Sequence, residues 1–455
     1  MEKESQFVKM TTQPVERLIP ALALPMIVSM LVSAIYNTAD TFFVSQINTS
    51  ASGAVGVVFS VMSIMQALGF LFGMGAGSNI SRLLGQKDNQ KASEIAASAF
   101  VITFVLGVII AVLGMVFNRQ IVSVLGATPT ILPYAQSYSM YIFIGTPFIC
   151  TSFVLNNIMR SQGRAFFSMV GLSFGGVLNI ILDPIFIFVF DLGIGGAAIA
   201  TLISQFISFL ILLFFCIRKK GNMVSLNIKN AVLKLSVYSD IIKMGLPSFF
   251  RQGLASIANI MLNLGAMAYG DAAVSAMSIV GRTSFIMTAV LLGFGQGFQP
   301  VAGFAFGAKK YGRVRKAFKF TLLTGMIMLF ILSVVCFVFA DEIIVLFRKS
   351  DPDVIEIGTL ALKLQCATMF IQPLSIISNM LLQSVGLPVE ATLTSISRQG
   401  LFFIPAVIIL PMICGLLGVQ ASQPVSDLLA AVFCVFFLKK FFSQLPKDDI
   451  EVLKN

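Results

Sequence analysis

The chain is built of long apolar runs broken by short polar stretches. Runs of about 20 residues or more, the length that crosses a membrane as a helix, fall near 19–45, 52–80, 95–117, 131–157, 166–190, 195–217, 241–268, 272–304, 320–340, 358–383, 392–412 and 420–440. They are numbered spans 1 to 12 in chain order. At roughly 1.5 Å per residue, each reaches across most or all of a hydrocarbon layer of about 30 Å. Gly and Pro sit inside the runs, and no run shows the roughly ten-residue alternation of a membrane barrel. The pattern predicts an all-α polytopic membrane protein with about twelve transmembrane helices.

The runs repeat. Span 2 ends in GFLFGMGAGSNISRLLGQKDNQKA and span 8 in GFGQGFQPVAGFAFGAKKYGRVRKA, so an offset of 222 residues places Gly73, Gly75 and Gly85 on Gly295, Gly297 and Gly307. The same offset aligns Asn37 with Asn259 and Ala51 with Ala273. A nearly equal offset pairs Gly163 of RSQGRAFF with Gly386 of LQSVGLPVE. Six helices per repeat keep the two copies in the same orientation, which predicts two six-helix lobes about a pseudo-twofold axis along the membrane normal. The expected lobes are residues 1–222 and 223–455, with the basic, polar stretch of about 218–240 as linker. The two-residue glycine spacing imitates a phosphate loop, but without a preceding strand it indicates close helix packing instead.

Polar residues inside the spans are few and arranged in stripes. In span 1, Ser29, Ser33, Tyr36, Asn37 and Asp40 recur at helical spacings, and Pro25 in the same run marks the expected bend. An acid within a span costs at least about 2.5 kcal/mol, so Asp40 calls for a functional reason. The alternative, a helix-end residue reaching the headgroups, fits poorly with the Thr-Phe-Phe-Val that follows it. In span 5, Asn179 and Asp183 lie four apart on one face with Pro184 next, and Thr201 sits early in span 6. Carboxylate, amide and hydroxyl oxygens make a hard-donor set suited to a proton, Na⁺ or another small hard cation.

The second half lacks these acids: the repeat places Leu262 and Ile404 where Asp40 and Asp183 stand. It carries neutral stripes instead, with Gln252, Ser256, Asn259 and Asn263 on span 7 and Gln365, Thr368, Gln372, Ser375, Asn379 and Gln383 on span 10. These stripes either hydrogen-bond helices together or line a wet central cavity. The cavity expectation comprises Asn37, Asn156, Gln252, Asn259, Asn263, Gln372, Asn379 and Asp427, with Asp427 the best of the remaining intramembrane charges (Arg251, Arg282, Arg398) for a cationic substrate.

Composition narrows the class. The 455 residues are 57% hydrophobic and 11% charged with mean hydropathy +0.92, which no soluble globular surface accommodates. The net charge of +11 follows the loops and not a nucleic-acid face. Basic residues cluster after spans 2, 4, 6 and 8, whereas loops after odd spans carry few, chiefly Arg119, Arg348 and Lys349. The positive-inside rule then predicts cytoplasmic termini. The segment before span 1 has no small-residue cleavage site, so no removable signal peptide is expected. Asn48-Thr49-Ser50 matches a glycosylation sequon in an outer loop. Six cysteines lie singly in apolar runs as packing residues, and the absence of His excludes histidine metal sites, Ser-His triads and imidazole relays.

YNTADTFFVSQ in span 1, the SRLLG and FAFGA ends of spans 2 and 8, the RSQG loop, NIILDPIF in span 5 and PVSDLLA in span 12 together resemble the multidrug and toxic compound extrusion (MATE) antiporters, over nearly the whole chain. The resemblance implies a V-shaped pair of lobes in the cell membrane, monomeric, exporting small amphipathic or cationic compounds in exchange for H⁺ or Na⁺, with no other cofactor, metal or nucleic acid. It maps a cation site onto Asp40, Asn179, Asp183 and Thr201, with Tyr36 beside it and Pro25 as the bend. Some members place acids on spans 7 and 10; none stands there in this chain, which argues for coupling through the first lobe. Two other readings use the same residues: a flippase of lipid-linked precursors, which would want cationic residues in its cavity, and an intramembrane aspartyl protease, whose Tyr-Asp and Gly-x-Gly-Asp signatures are missing.

The loop charges make a direct prediction. A cysteine placed near Lys220 should stay unlabelled by an impermeant reagent in intact cells, and ready labelling would overturn both the topology and the repeat orientation.

Overall fold

A computed structural model describes residues 2–218, 221–348 and 351–446, which form helices and turns with no strand among them. Spans 1 to 6 are Val15–Ser45, Thr49–Gly85, Asn89–Val116, Leu132–Ser161, Ala165–Pro184 extended by a π turn at Ile185–Val189, and Gly193–Ile217. Spans 7 to 9 are Leu235–Met267, Asp271–Gly307 and Tyr311–Val338. Span 10 is broken into Pro352–Met369 and Gln372–Val385, bent by 52°. Span 11 comprises Pro388–Ile396, a π turn at Ser397–Phe402 and Phe403–Cys414, and span 12 is Leu416–Gln444. Among the described residues, nine helices are long and apolar enough to cross a membrane, or ten with the bent pair. Spans 7 and 12, at 33 and 29 residues, have the length as well.

Three details depart from the pattern-based expectation. Span 7 starts at Leu235 and absorbs the end of the expected 218–240 linker, because Ile241 and Met244 carry its buried face back towards the basic loop. The stretch after Phe339, between the apolar runs of spans 9 and 10, is a short helix, Ala340–Phe347, that buries Ala340 and Ile344. A helix also precedes span 1, at Glu2–Thr12. Its last carbonyls have no partner within the helix, and the basic loop after span 8 supplies donors: Lys310 Nζ to Thr11 O at 3.1 Å, and Arg313 Nη2 to Met10 O at 3.0 Å and Gln13 O at 2.7 Å. Asn48, the sequon residue, is the N-cap of span 2 and accepts the Ala51 N–H at 2.7 Å.

The internal repeat is preserved in backbone detail. Lys87 and Lys309, one offset apart, both adopt left-handed φ, of 63° and 56°, where spans 2 and 8 end. The following amides close the same loop, Asp88 N–H to Leu83 O and Lys310 N–H to Ala305 O, each at 2.9 Å. Gly163 and Gly386 share positive φ as well, 76° and 91°.

The lobes meet through glycines. Span 1 packs on span 8, span 2 on span 7, and the ends of spans 2 and 8 on each other. A Cβ at Gly293 or Gly297 would stand 2.6 Å from the Ile27 Cα or 2.5 Å from the Ala23 Cα. One at Gly75 would run into the Ile241 carbonyl, at Gly245 into the Leu71 carbonyl, and at Gly307 into the Arg82 carbonyl. Without a hydrophobic drive between helices in lipid, such backbone approach is what lets them associate. All these contacts lie at the end that carries the termini. Further along the same helices, Ile35, Thr38, Phe59, Asn259, Asn263 and Arg282 are exposed.

The glycine seal can be tested within one helix. Gly245→Ala should destabilise the closed end by about 1–3 kcal/mol, since the obstacle is backbone and cannot rotate away, and should raise thiol reactivity of a reporter cysteine at the seam. Gly253→Ala on the same span meets nothing within 4 Å and should leave both stability and reactivity unchanged. Equal behaviour of the two variants would contradict the close approach.

Candidate functional site

Span 5 is helical through Asp183 because LNIILD keeps a 3.6-residue polar face. Beyond Pro184 the hydrogen-bond ladder widens into the π turn. Span 6 begins against that turn: a Cβ at Gly196 would lie 2.5 Å from Phe186 O. This close start brings Thr201 opposite Asn179. Asn179 Nδ2 donates to Asp183 Oδ1 at 3.0 Å and to Thr201 Oγ1 at 3.2 Å. All three side chains are buried.

Asp40 comes to the same interior from span 1, which packs on span 5. It is 9% exposed, and its Oδ2 accepts the Tyr138 hydroxyl of span 4 at 3.2 Å. Asp183 and Asp40 lie within coulombic reach of one another, and the Tyr138 hydroxyl lies within reach of both. Tyr36 sits beside this group, stacked over Gly176 of span 5. Its neighbours on span 1 form a ladder of back-bonds, Ser33 Oγ to Ser29 O at 2.9 Å and Asn37 Nδ2 to Ser33 O at 2.7 Å. Pro25 lies within the unbroken span 1, together with Pro20.

The defining feature is what these oxygens lack. Asp40 Oδ1, Asn179 Oδ1 and Asp183 Oδ2 are all buried without a hydrogen-bond partner. Neither carboxylate is in an ion pair among the described residues. Two such anions in low dielectric, with three acceptors turned to nothing, are costly unless positive charge joins them. The group fits a proton or a small hard cation as its complement.

Tyr138 was not foreseen. It is among the largest fully buried side chains, and its signal in the sequence is a tyrosine at helical spacing from Tyr134 and Tyr141. Span 4 is the hub of its lobe, with 78% of its most apolar stretch buried against 22% for span 9, which is why a polar tip there needs a partner.

The expected cavity residues divide. Asn259 and Asn263 are exposed on span 7 and Asn37 is half-buried on span 1, all beyond the glycine seal. Gln252 donates across the lobes to Gln66 Oε1 at 2.8 Å. Asn156, Gln372, Asn379 and Asp427, by contrast, are buried in this structure and hydrogen-bonded to neighbouring helices. Asn156 Nδ2 donates to Ser168 O at 3.0 Å, and Asn379 Nδ2 to Ala391 O at 2.6 Å; these are repeat-related bonds that tie span 4 to span 5 and span 10 to span 11. Gln372 joins Thr288 to Asp427. Helical periodicity finds the inward stripe but cannot distinguish water from another helix opposite it.

The fold is that of a polytopic membrane protein built of two repeated six-helix lobes. The family model described as MatE matches residues 25–185 and 247–417, one segment per lobe. The chain is 30% identical to the "Multidrug export protein MepA" of Staphylococcus aureus (strain MSSA476) over 454 residues, covering 100% of both. It is also 30% identical to the protein of that name from Staphylococcus haemolyticus (strain JCSC1435) over 433 residues, 95% of each. Among solved structures, "Outward-facing conformation of a multidrug resistance MATE family transporter of the MOP superfamily" superposes with TM-score 0.92 at 25% identity, covering 97% of this chain and 99% of that one. A MOP superfamily transporter from Pyrococcus furiosus, described as having a binding pocket of reverse polarity, gives 0.91 at the same identity and coverage. The chain belongs to the MATE family, and it is a multi-pass membrane transporter, not an enzyme.

The amide bonds predict a pair of matched variants. Asn156→Ala and Asn379→Ala should each cost about 1–3 kcal/mol by removing a buried bond between helices, seen as a lower melting temperature, with all substrates affected alike. Selective loss of some substrates at unchanged stability would return these residues to the cavity wall.

Proposed function

We propose that the protein is a multidrug exporter that expels small cationic or amphipathic compounds from the cell in exchange for H⁺ or Na⁺, coupled through Asp40, Asn179, Asp183, Thr201 and Tyr36 of the first lobe. The observation that carries the reading is the trio of buried, unpartnered acceptors on Asp40, Asn179 and Asp183. Full-length similarity to proteins named for multidrug export supports the substrate class. The basic loops support cytoplasmic termini in the cell membrane. On that orientation the glycine seal faces the cytoplasm and the acid pair lies towards the open, outer end. The division of labour follows the repeat, with residues 1–222 as the coupling lobe and 223–455 as its partner, acting as a monomer.

Exchange then follows from charge. A ligand can shift a conformational equilibrium only by its differential affinity for the two states. The carboxylates attract a cation from outside; once it is bound, they lose their demand for a positively charged substrate, which leaves. Tyr138 donates to one Asp40 oxygen, which leaves the other, unpartnered oxygen best placed to meet the ion. Pro20 and Pro25 remove two backbone donors from span 1, which lowers the cost of bending it towards span 5. Asn37, Asn259 and Asn263 are the wall residues that substrate would meet.

Asp40→Asn and Asp183→Asn each keep size and burial but remove charge. Each should abolish gradient-driven efflux in proteoliposomes while the variant still folds and retains part of its drug binding. Near-normal coupled efflux by both would sink the mechanism. Imposing proton and sodium gradients separately on the unmodified protein identifies the ion.

A further inference from the structure

Among the described residues of the second lobe one carboxylate is buried, Asp427, and both of its oxygens accept hydrogen bonds. Asp427 on span 12 has a side chain 0% exposed. Its Oδ1 accepts Arg398 Nε of span 11 at 2.7 Å and Gln423 Nε2 at 2.9 Å. Its Oδ2 accepts Gln372 Nε2 at 3.1 Å and Gln365 Nε2 at 3.3 Å, both from span 10. Ser426 Oγ donates to the Arg398 carbonyl beside the π turn.

The placement is that of the acid site in the first lobe. There the groups come from spans 4, 5 and 6, with Asp40 added from span 1; here they come from spans 10, 11 and 12, the repeat-related trio. The 222-residue offset puts Gln423 on Thr201 and Asp427 one helical turn beyond. Arg398 falls on Gly176, two turns from Asp183 towards the end with the termini, the same direction in which Asp427 is displaced. The middle helix of each trio contains a π turn, at the end of span 5 after Asp183 and around Arg398 within span 11, at positions the repeat does not align. The difference is the complement: three orphaned acceptors in the first lobe, four donors including a guanidinium in the second.

We propose that Arg398 is a tethered cation filling a monovalent-cation site of the second lobe, so that Asp427 takes no ion from solution and exchange falls to the first lobe alone. The inference rests on the first-lobe coupling reading. A guanidinium stays charged throughout the physiological range and is held covalently, so it neutralises the carboxylate without ever being released. Arg398 is therefore a residue that determines how many ions the protein carries. Removing it leaves Asp427 with three amide donors and no positive charge, which makes it a site for H⁺ or Na⁺.

The test uses full-length protein carrying Asp40→Asn and Asp183→Asn, so that first-lobe binding is silent whatever its role. Radioactive Na⁺ binding at alkaline pH and proton uptake on acidification are the two readouts. With Arg398 present, neither should exceed a matched Asp427→Asn/Arg398→Gln control, in which the charge pair is removed together. With Arg398→Gln alone, about one monovalent cation per protein should be gained, and Arg398→Lys, which restores a tethered cation, should abolish the gain. An Arg398→Gln protein that elutes as a folded monomer and gains neither ion overturns the proposal. So does Asp427-dependent binding while Arg398 is intact, a measurement that needs no destabilised variant. Failure of the first-lobe reading would show separately, as unimpaired ion binding lost by neither Asp40→Asn nor Asp183→Asn in an otherwise unmodified chain.

Discussion

A buried negative charge without a partner is the constraint on which this molecule turns. In a bilayer the chain has no water to complete its polar groups, so every acceptor must find a donor inside the protein or a cation from outside. Much of the interior follows the first option: several serines and threonines bond back to their own helices, asparagines cross to neighbouring carbonyls, and Asp427 is enclosed by four donors. Among the buried side-chain atoms left without a partner, the carboxylate oxygens are those of Asp40 and Asp183, with Asn179 Oδ1 also unpartnered, and the proposed coupling gives them a cation from outside. An exception of that cost, kept where spans 1, 4, 5 and 6 converge, is what a carrier of cations requires.

The repeat explains how such a site can be served from two sides. Paired glycines let helices of opposite lobes approach to backbone contact at one end, where a side chain would hold them apart. Both lobes also contribute apolar side chains to the buried cluster at this seam, among them Met26 and Leu71 from the first and Phe298 and Val301 from the second, so separating the lobes there means breaking that packing. The helix Glu2–Thr12 crosses the same end, held by Lys310 and Arg313 of the second lobe and by Gln6 donating to Gln162 O at 3.0 Å in the first. Duplication has also been used asymmetrically. One copy keeps its acid free, and the other encloses its acid with a guanidinium, so a symmetric scaffold carries an asymmetric charge distribution.

Much of this was legible in the residues. Run length and the glycine offset specify helices, lobes and their relative orientation, and the polar exceptions within apolar runs point to Asp40, Asn179, Asp183 and Thr201, three of which the structure joins by hydrogen bonds. What stayed hidden depends on distance in space. Periodicity marks Asn156, Gln372 and Asn379 as inward-facing but cannot say that a helix stands opposite them. The Tyr138 bond to Asp40 spans 98 residues, and the Arg398 pair with Asp427 spans 29 and crosses from one helix to the next. The mixed-charge N-terminal segment has no helical pattern of its own strong enough to notice, because its order comes from cations in a loop some 300 residues away.

The central claim is that the two first-lobe carboxylates bind the positive charge that drives exchange. Infrared difference spectroscopy of the purified protein, cycled between acid and alkaline pH in sodium-free and sodium-containing buffer, observes those carboxyl groups directly. The account predicts a carboxyl band that appears with protonation or shifts with sodium and that is lost in Asp40→Asn or Asp183→Asn but retained when Asp427 and Arg398 are neutralised together. A band unaffected by both first-lobe substitutions would contradict it.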